Sequence, residues 1–310
     1  MKNPFSTFFT HACVALCYGL LPQSATAAEP QTSSKTPDPF AQGNLHAWAY
    51  EEYDSVQRTP DERAQVLQQL GISRAGYIAR DPARVAEFEA YVIAYQKYGI
   101  QLVAAWTPLH TDKPLDEPHV RTFLDVVRRH NLKLQWWFTL EHMEEHQEGE
   151  RIERAAAQIR QLIPAAKSIS CDLVLYGHGR DHWFTQIENQ IAVIERVKRD
   201  APSARLGIVY NFHQSHAQMD RLKDVFPRLK PYLSAVNLDG MRAEGPQIIT
   251  LGQGDREAGM IKIIRESGWT GCVGIISHNR KVDARVSLQQ NLEGLRAVLE
   301  QIQGEVRPAR

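Results

Sequence analysis

From Asn44 onward, short apolar runs alternate with amphipathic segments, and eight such pairs follow one another along the chain. The runs are Leu45 to Tyr50, Ala75 to Ala79, Leu102 to Trp106, Leu134 to Phe138, Leu173 to Tyr176, Leu206 to Tyr210, Leu233 to Leu238 and Val273 to Ser277. Apolar runs this short have the length of buried strands. The segments between them carry helix signals. Thr59-Pro60-Asp61-Glu62 places a cap residue, a first-turn proline and two acids at the positive end of a helix, and Gly71 closes it. Asp81-Pro82 opens a helix to Tyr98, ended by Gly99, and further helices are expected near 118–130, 150–163 and 282–302. Strand and helix in alternation imply a parallel sheet. Eight units in about 260 residues match a single-domain (β/α)8 TIM barrel over residues 44–305. A doubly wound open sheet is the alternative, but it would normally carry a Gly-rich phosphate loop after its first strand, and none follows Leu45 to Tyr50. Gly252-Gln253-Gly254 comes late, after an extended segment, and speaks only weakly for phosphate.

The N-terminus has a different character. Met1 to Ala28 combines Lys2, an apolar stretch from Phe8 to Leu21 and a small-residue site at Ala25-Thr26-Ala27, which reads as a secretory signal peptide. A membrane anchor is the rival, yet the apolar run falls short of the roughly 20 residues a spanning helix needs. The mature protein is therefore expected in the periplasm or outside the cell, off the membrane, with 29–43, rich in Ser, Thr and Pro, as a disordered lead-in. Cys13 and Cys17 would leave with the leader. Cys171 and Cys272 each begin an apolar run and read as buried thiols rather than a disulfide. The formal charge is +0, with 36 basic and 36 acidic residues, which argues against a groove for nucleic-acid phosphates.

In a barrel, the residues just past each strand meet at one mouth, so polar chemistry should collect at the ends of the runs. The fourth run leads to Glu141, the fifth to His178, the sixth to Asn211 and His213, the seventh to Asn237 and Asp239, and the eighth to His278 and Asn279. Asn211 and His213 share a face, because side chains alternate along a strand. Any one of these histidines reads equally well as a surface or capping residue. Imidazoles and carboxylates converging from successive strands are what a divalent metal requires. Trp48, Tyr50, Trp106, Trp137, Tyr176 and Trp183 crowd the same region, and flat apolar rings beside polar groups suit a sugar. Core packing is the competing reading for Trp137 and Tyr176, whereas Trp183 falls in a loop. His142-Met143-Glu144-Glu145-His146 lacks the glutamate position of the His-Glu-x-x-His metalloproteases and reads as a solvated loop at the mouth. Arg180-Asp181-His182 reads as a substrate clamp or as a helix lead-in.

These motifs together resemble the xylose isomerase-like barrels described as sugar phosphate isomerase/epimerases, a superfamily that includes the AP endonuclease 2 and endonuclease IV barrels. The similarity runs through Asp61-Glu62-Arg63 with Leu70-Gly71, Tyr176, His178-Gly179, Trp183-Phe184 and Glu188-Asn189-Gln190. It continues in Tyr210-Asn211-Phe212-His213, Pro231-Tyr232-Leu233, Val236-Asn237-Leu238, Leu251-Gly252-Gln253-Gly254 and His278. The chain departs from the pattern at Gly177, where Asn usually precedes the His, in a longer loop from Gly179 to Trp183, and at Asp239, which replaces a second Asn. The resemblance implies one divalent metal (Mn2+, Mg2+, Zn2+ or Co2+) at the mouth and a small carbohydrate substrate. The expected activity is proton abstraction next to a sugar carbonyl, as in isomerisation, epimerisation or elimination from a 3-keto-glycoside. On that expectation His178, His213, His278 and Glu141 are the metal ligands, Glu141 or Asp239 with His213 are catalytic, and Trp48, Trp106, Tyr176, Trp183, Asn211 and Asn237 contact the sugar. A non-catalytic periplasmic carbohydrate-binding barrel is the alternative.

Overall fold

In the computed structural model, which describes residues 37–179 and 182–306, eight parallel strands pair in chain order and the eighth returns to the first, closing a barrel. The strands are β1 (Leu45–Trp48), β2 (Arg74–Ile78), β3 (Gln101–Leu109), β4 (Gln135–Leu140), β5 (Asp172–Tyr176), β6 (Leu206–Asn211), β7 (Leu233–Leu238) and β8 (Cys272–Ile276). The helices between and after them are α1 (Pro60–Gln69), α2 (Pro82–Lys97), α3 (Pro118–Arg129), α4 (Glu148–Ser168), α5 (Ile187–Asp200), α6 (Leu222–Leu229), α7 (Glu257–Glu266) and α8 (Ala284–Val306). The (β/α)8 expectation holds, and the open sheet is excluded by the β1–β8 pairing.

Local chemistry explains the boundaries. Thr59 and Glu62 form a reciprocal capping box at α1, and Asp81 caps α2 through the Arg84 amide. α4 runs through Pro164 to Ser168, beyond its expected end at 163. An interior proline costs about 3 kcal/mol, and the burial of Leu162 and Ala166 on either side of it favours carrying the helix on.

The pleat sorts the strand side chains into two cores. Outward residues such as Leu45, Ala47, Trp136, Phe138 and Val236 pack under the helices. Inward residues, among them Trp48, Trp106, Trp137, Val174, Tyr176 and Val209, fill the barrel itself. Gly76 makes room for Trp48, since a Cβ there would lie 2.3 Å from its ring. Trp137 stacks on Tyr176 at 5.7 Å with 12° between the planes, and Trp48 meets Trp137 at 4.3 Å.

Of the expected lead-in, residues 37–43 differ from a disordered segment. Phe40 is buried in the outer core, Asp38 pairs with Arg265 at 2.8 Å, and Asn44 Nδ2 donates to Pro39 O and Gly271 O at 2.7 and 2.8 Å. A single large apolar side chain with an anchor on each flank ties this stretch under the barrel. The signal-peptide reading for 1–28 lies outside the described residues. No helix among the described residues is long and apolar enough to cross a membrane. Cys171 and Cys272 are both free, the first buried and the second half-buried.

Candidate active site

Each strand of the second half carries its polar residue one pleat above an inward side chain of the core, and that spacing of two keeps both on the inner face. Glu141 thus follows Thr139, His178 follows Tyr176, His213 follows Asn211, Asp239 follows Asn237 and His278 follows Ile276. His178, His213 and His278 line one open pocket of about 610 Å³, together with Gln214, Gln247 and Ile248. Two of the imidazoles are backed by carboxylates: His178 Nδ1 lies 3.1 Å from Glu141 Oε1, and His213 Nδ1 lies 3.1 Å from Asp239 Oδ1. The third, His278, packs on Tyr53 with ring centres 3.6 Å apart and faces His213 at 5.4 Å.

A carboxylate behind Nδ1 holds the proton there and leaves Nε2 as a lone pair, the second-shell device that orients metal-binding histidines. Gln214 Nε2, 3.1 Å from His213 Nε2, is placed to donate to that lone pair. Asp239 is fully enclosed. Burial raises its carboxyl above the ordinary range against the opposing pull of His213, and its Oδ2 has no partner. Burial, reinforced by the neighbouring His213 and Arg280, lowers His278 to about 3, so its ring is neutral over the whole physiological range. Neutral nitrogen donors with carboxylate oxygens and an orphaned buried Oδ2 fit a borderline divalent ion such as Zn2+, Mn2+ or Co2+. The donors stand wide, however. Among the described residues, three such atoms come within 4.8 Å of one another only in two clusters outside this pocket.

No family model and no curated protein sequence matches this chain. Solved structures do. The IOLI protein with a bound zinc atom superposes with a TM-score of 0.64 at 13% identity, covering 84% of this chain and 99% of that one. The 3-keto-D-glucoside 4-epimerase YcjR from E. coli gives 0.59 at 12% identity over 83% and 99% of the two chains. A D-psicose 3-epimerase crystallised in the presence of D-fructose gives 0.59 at 14% over 84% and 98%. The fold is the closed (β/α)8 barrel that these structures share with this chain. At these identities the likeness establishes architecture alone.

Within this barrel the expected sugar-stacking residues fall into different places. Trp48, Trp106 and Tyr176 belong to the barrel's inner core, beneath the pocket. Trp106 alone of the three also touches a pocket imidazole, with its ring 4.9 Å from that of His178. Tyr176 Oη receives Asn211 Nδ2 at 2.6 Å and Trp48 Nε1 at 3.3 Å, so Asn211 is held downward from the mouth. The Asn237 side chain is enclosed and without a hydrogen-bond partner, next to His46 in the space that Gly274 leaves open. Trp183 is not a free loop ring. It sits in a short 3-10 turn, Trp183–Thr185, packed into the outer core, with its amide donating to Glu144. Tyr50 also lies in the outer core, its hydroxyl donating to Arg63 O at 2.7 Å.

Gly177 has a local reason. A Cβ at that position would approach Thr185 Cα to 3.0 Å, and Thr185 Oγ1 donates to Gly179 O at 2.6 Å, fastening the turn that presents His178. The glycines at 252 and 254 do not cradle phosphate, because both amides donate to Glu257 Oε1 at 3.0 and 2.7 Å. The segment after β4 is solvated only in part. Glu144 and Glu145 are exposed, but Met143 is 1% exposed and His142 8%, the latter held against Gln158 of α4. The Arg180-Asp181 clamp lies outside the described residues.

Two further groups stand at the mouth without a sequence expectation. The first apolar run extends to Tyr50, but β1 stops at Trp48 and Ala49 adopts φ 58°, which swings Glu51, Glu52 and Tyr53 over the barrel. Glu51 is buried, accepts the Ile78 amide at 2.6 Å, and is pushed by burial up to about 7. Tyr53 supplies the wall behind His278. Two adjacent acids directly after an apolar run were the available sign.

Proposed function

We propose that this protein is a divalent-metal-dependent isomerase or epimerase that removes a proton next to the carbonyl of a small sugar, with a ketose or a 3-keto-glycoside as the substrate class. The observation that carries the reading is the ring of three histidines around one pocket at the strand ends of a barrel, two of them backed by carboxylates. His178, His213 and His278 would hold the ion, with Glu141 able to join them, and the ion when bound supplies Lewis-acid polarisation of a carbonyl oxygen. Glu141 is the better base of the two carboxylates. Its side chain is 23% exposed and meets His178, which lines the pocket, whereas that of Asp239 is 1% exposed and committed to His213. Glu141 takes the proton from the carbon beside the carbonyl, and the neighbouring His178 steadies the resulting acid. The leader reading puts the protein in the periplasm or outside the cell, where an unphosphorylated sugar is the natural substrate. The Glu257 carboxylate that fills the glycine turn supports the same choice.

The wide spacing of the mouth donors favours a second reading, a carbohydrate-binding barrel without catalysis. One experiment separates the two. Purified protein with Mn2+, Co2+ or Zn2+ is incubated in D2O with ketoses and 3-keto-glycosides, and the C–H signal next to the carbonyl is followed by proton NMR. Chelator-sensitive loss of that signal supports the enzyme. Binding of sugar without exchange, unchanged by chelator, supports the binding module.

A further inference from the structure

Behind the mouth, on the outer side of the β4 end, three donor atoms meet that the reaction does not use. Asp112 sits on the loop after β3, and His142 and His146 flank the short turn that leads into α4. Asp112 Oδ1 lies 3.3 Å from His142 Nε2 and 4.0 Å from His146 Nε2, and all three atoms are within 4.8 Å of one another. We propose that Asp112, His142 and His146 form a second metal site, for a divalent transition ion of the zinc class.

Gln158 reveals the need for a cation. Its Nε2 stands 2.6 Å from Asp112 Oδ1 and 2.7 Å from His142 Nε2. An amide nitrogen has only hydrogens to offer, so both atoms must accept, and His142 Nε2 is a lone pair. It then cannot donate to Asp112 Oδ1, and two lone pairs face each other across 3.3 Å. Reversing the amide does not help, because the Gln158 oxygen would then meet the Asp112 oxygen at 2.6 Å. Whichever way the side chain is set, one pair of like groups is left facing. His146 Nε2 adds a third donor, enclosed and without a hydrogen-bond partner. His142 is 8% exposed, so water does not relieve the arrangement freely.

A cation resolves the conflict. With an ion among the three donors, the Gln158 amide can turn to present Oε1, which is itself buried and partnerless, and the set becomes two nitrogens and two oxygens. Arg154 approaches the other Asp112 oxygen, at 4.0 Å, and leaves Oδ1 to the histidines. The second three-residue cluster, His110, Glu117 and His119, makes a useful contrast. Glu117 Oε1 already accepts from the amides of His110 and Thr111 and from the Thr111 hydroxyl, and His119 Nε2 donates to Pro108 O at 2.9 Å. Glu117 Oε2 in turn meets His110 Nδ1 at 3.1 Å, so these atoms already have partners among themselves.

The site matters to the mouth through the backbone. The turn that carries His142 also carries Glu141, which holds His178, and Glu144, which accepts the Trp183 amide. An ion between Asp112, His142 and His146 would pin this turn to α4 and to the β3 loop. The binding itself does not depend on the catalytic reading.

The test is a zinc titration of the chelator-stripped full-length chain in a His178→Ala/His213→Ala/His278→Ala background, which removes the mouth imidazoles. The expected result is one equivalent of Zn2+ bound by calorimetry, and visible ligand-field bands when Co2+ replaces it. Adding His146→Gln to that background should weaken zinc binding at least tenfold and abolish the cobalt bands. His142 is enclosed and its loss could unfold the region, so the part-exposed His146 is the decisive position, with circular dichroism confirming the fold. A mouth-deficient protein that binds no zinc, or a His146→Gln variant that titrates unchanged, overturns the proposal. An absence of sugar chemistry in the parent protein leaves this outcome untouched.

Discussion

His178 stands two positions after Tyr176, His213 two after Asn211, Asp239 two after Asn237 and His278 two after Ile276, and that one step of the pleat divides the barrel interior in two. Below it, Trp48, Trp137 and Tyr176 are packed ring against ring, almost wholly out of water. Above it, imidazoles line a pocket open to solvent, and two of them are backed by carboxylates. The same strands and the same face serve both layers, so neither strand position nor side-chain direction distinguishes them. The difference is access to water. Enclosed rings gain burial energy with few polar demands, whereas the mouth can keep charged groups because solvent or a ligand completes their bonding.

The sharpest test exchanges stability for activity. His213→Ala is expected to reduce metal-dependent proton exchange at least a thousandfold, about 4 kcal/mol of transition-state stabilisation, as read by deuterium uptake. Its stability cost should stay near 1–3 kcal/mol, the range for leaving a buried partner such as Asp239 unsatisfied. Trp137→Ala should do the reverse, losing about 3–5 kcal/mol of stability in urea unfolding through the cavity it leaves between Trp48 and Tyr176. If His213→Ala unfolded the protein as readily as Trp137→Ala, the division into a packing layer and a chemical layer would fail.

The barrel was legible because eight apolar runs and eight helical segments kept a regular spacing, and caps such as Thr59 and Asp81 stood where helices begin. The mouth was legible for a related reason: polar residues placed just past each of five runs could not all be accidental. What the sequence hid was depth. Trp48, Trp106 and Tyr176 were expected beside a sugar, but a residue two places earlier on the strand lies a layer lower, and no local pattern marks where the inner core ends. Trp183 and the His142–His146 turn read differently in the sequence because their partners are separated from them along the chain: Glu144 takes the Trp183 amide, and Asp112 and Gln158 meet the His142 ring. Glu51 and Tyr53 were missed through a single backbone angle, the positive φ of Ala49.

Glu51 offers a smaller test, because it is a carboxyl kept at the mouth's edge yet buried like the core. Its folded pKa of about 7 lies above the unfolded value near 4.5, so the folded state holds the proton more tightly. The contribution to stability is fully present below pH 4.5 and is lost as pH rises through 7. Glu51→Gln keeps an acceptor for the Ile78 amide without the charge. The variant should match the parent near pH 4.5 and exceed it by on the order of 3 kcal/mol at pH 8, read from denaturation midpoints. His46, enclosed in the floor and lowered by burial to about 3, works the other way, its contribution being present above pH 6.5 and fading as pH falls. A Glu51→Gln advantage that did not grow with pH would mean that solvent reaches the carboxyl, and the mouth would extend deeper than the packing suggests.

Asp239 sits on the boundary between the layers and probes it most finely. It belongs to the mouth by position and to the core by burial, and one oxygen serves His213 while the other is unpartnered. If it acts by holding His213, Asp239→Asn preserves the shape but weakens the hold on the Nδ1 proton, and metal affinity should fall ten- to a hundredfold by calorimetry. Stability should rise slightly at neutral pH, because burial already raises the carboxyl's pKa and a neutral amide avoids that cost. Affinity and stability moving in opposite directions would identify a residue that the fold tolerates for the sake of the site. Both falling together would mean that Asp239 is structural and that the chemical layer begins with the histidines alone.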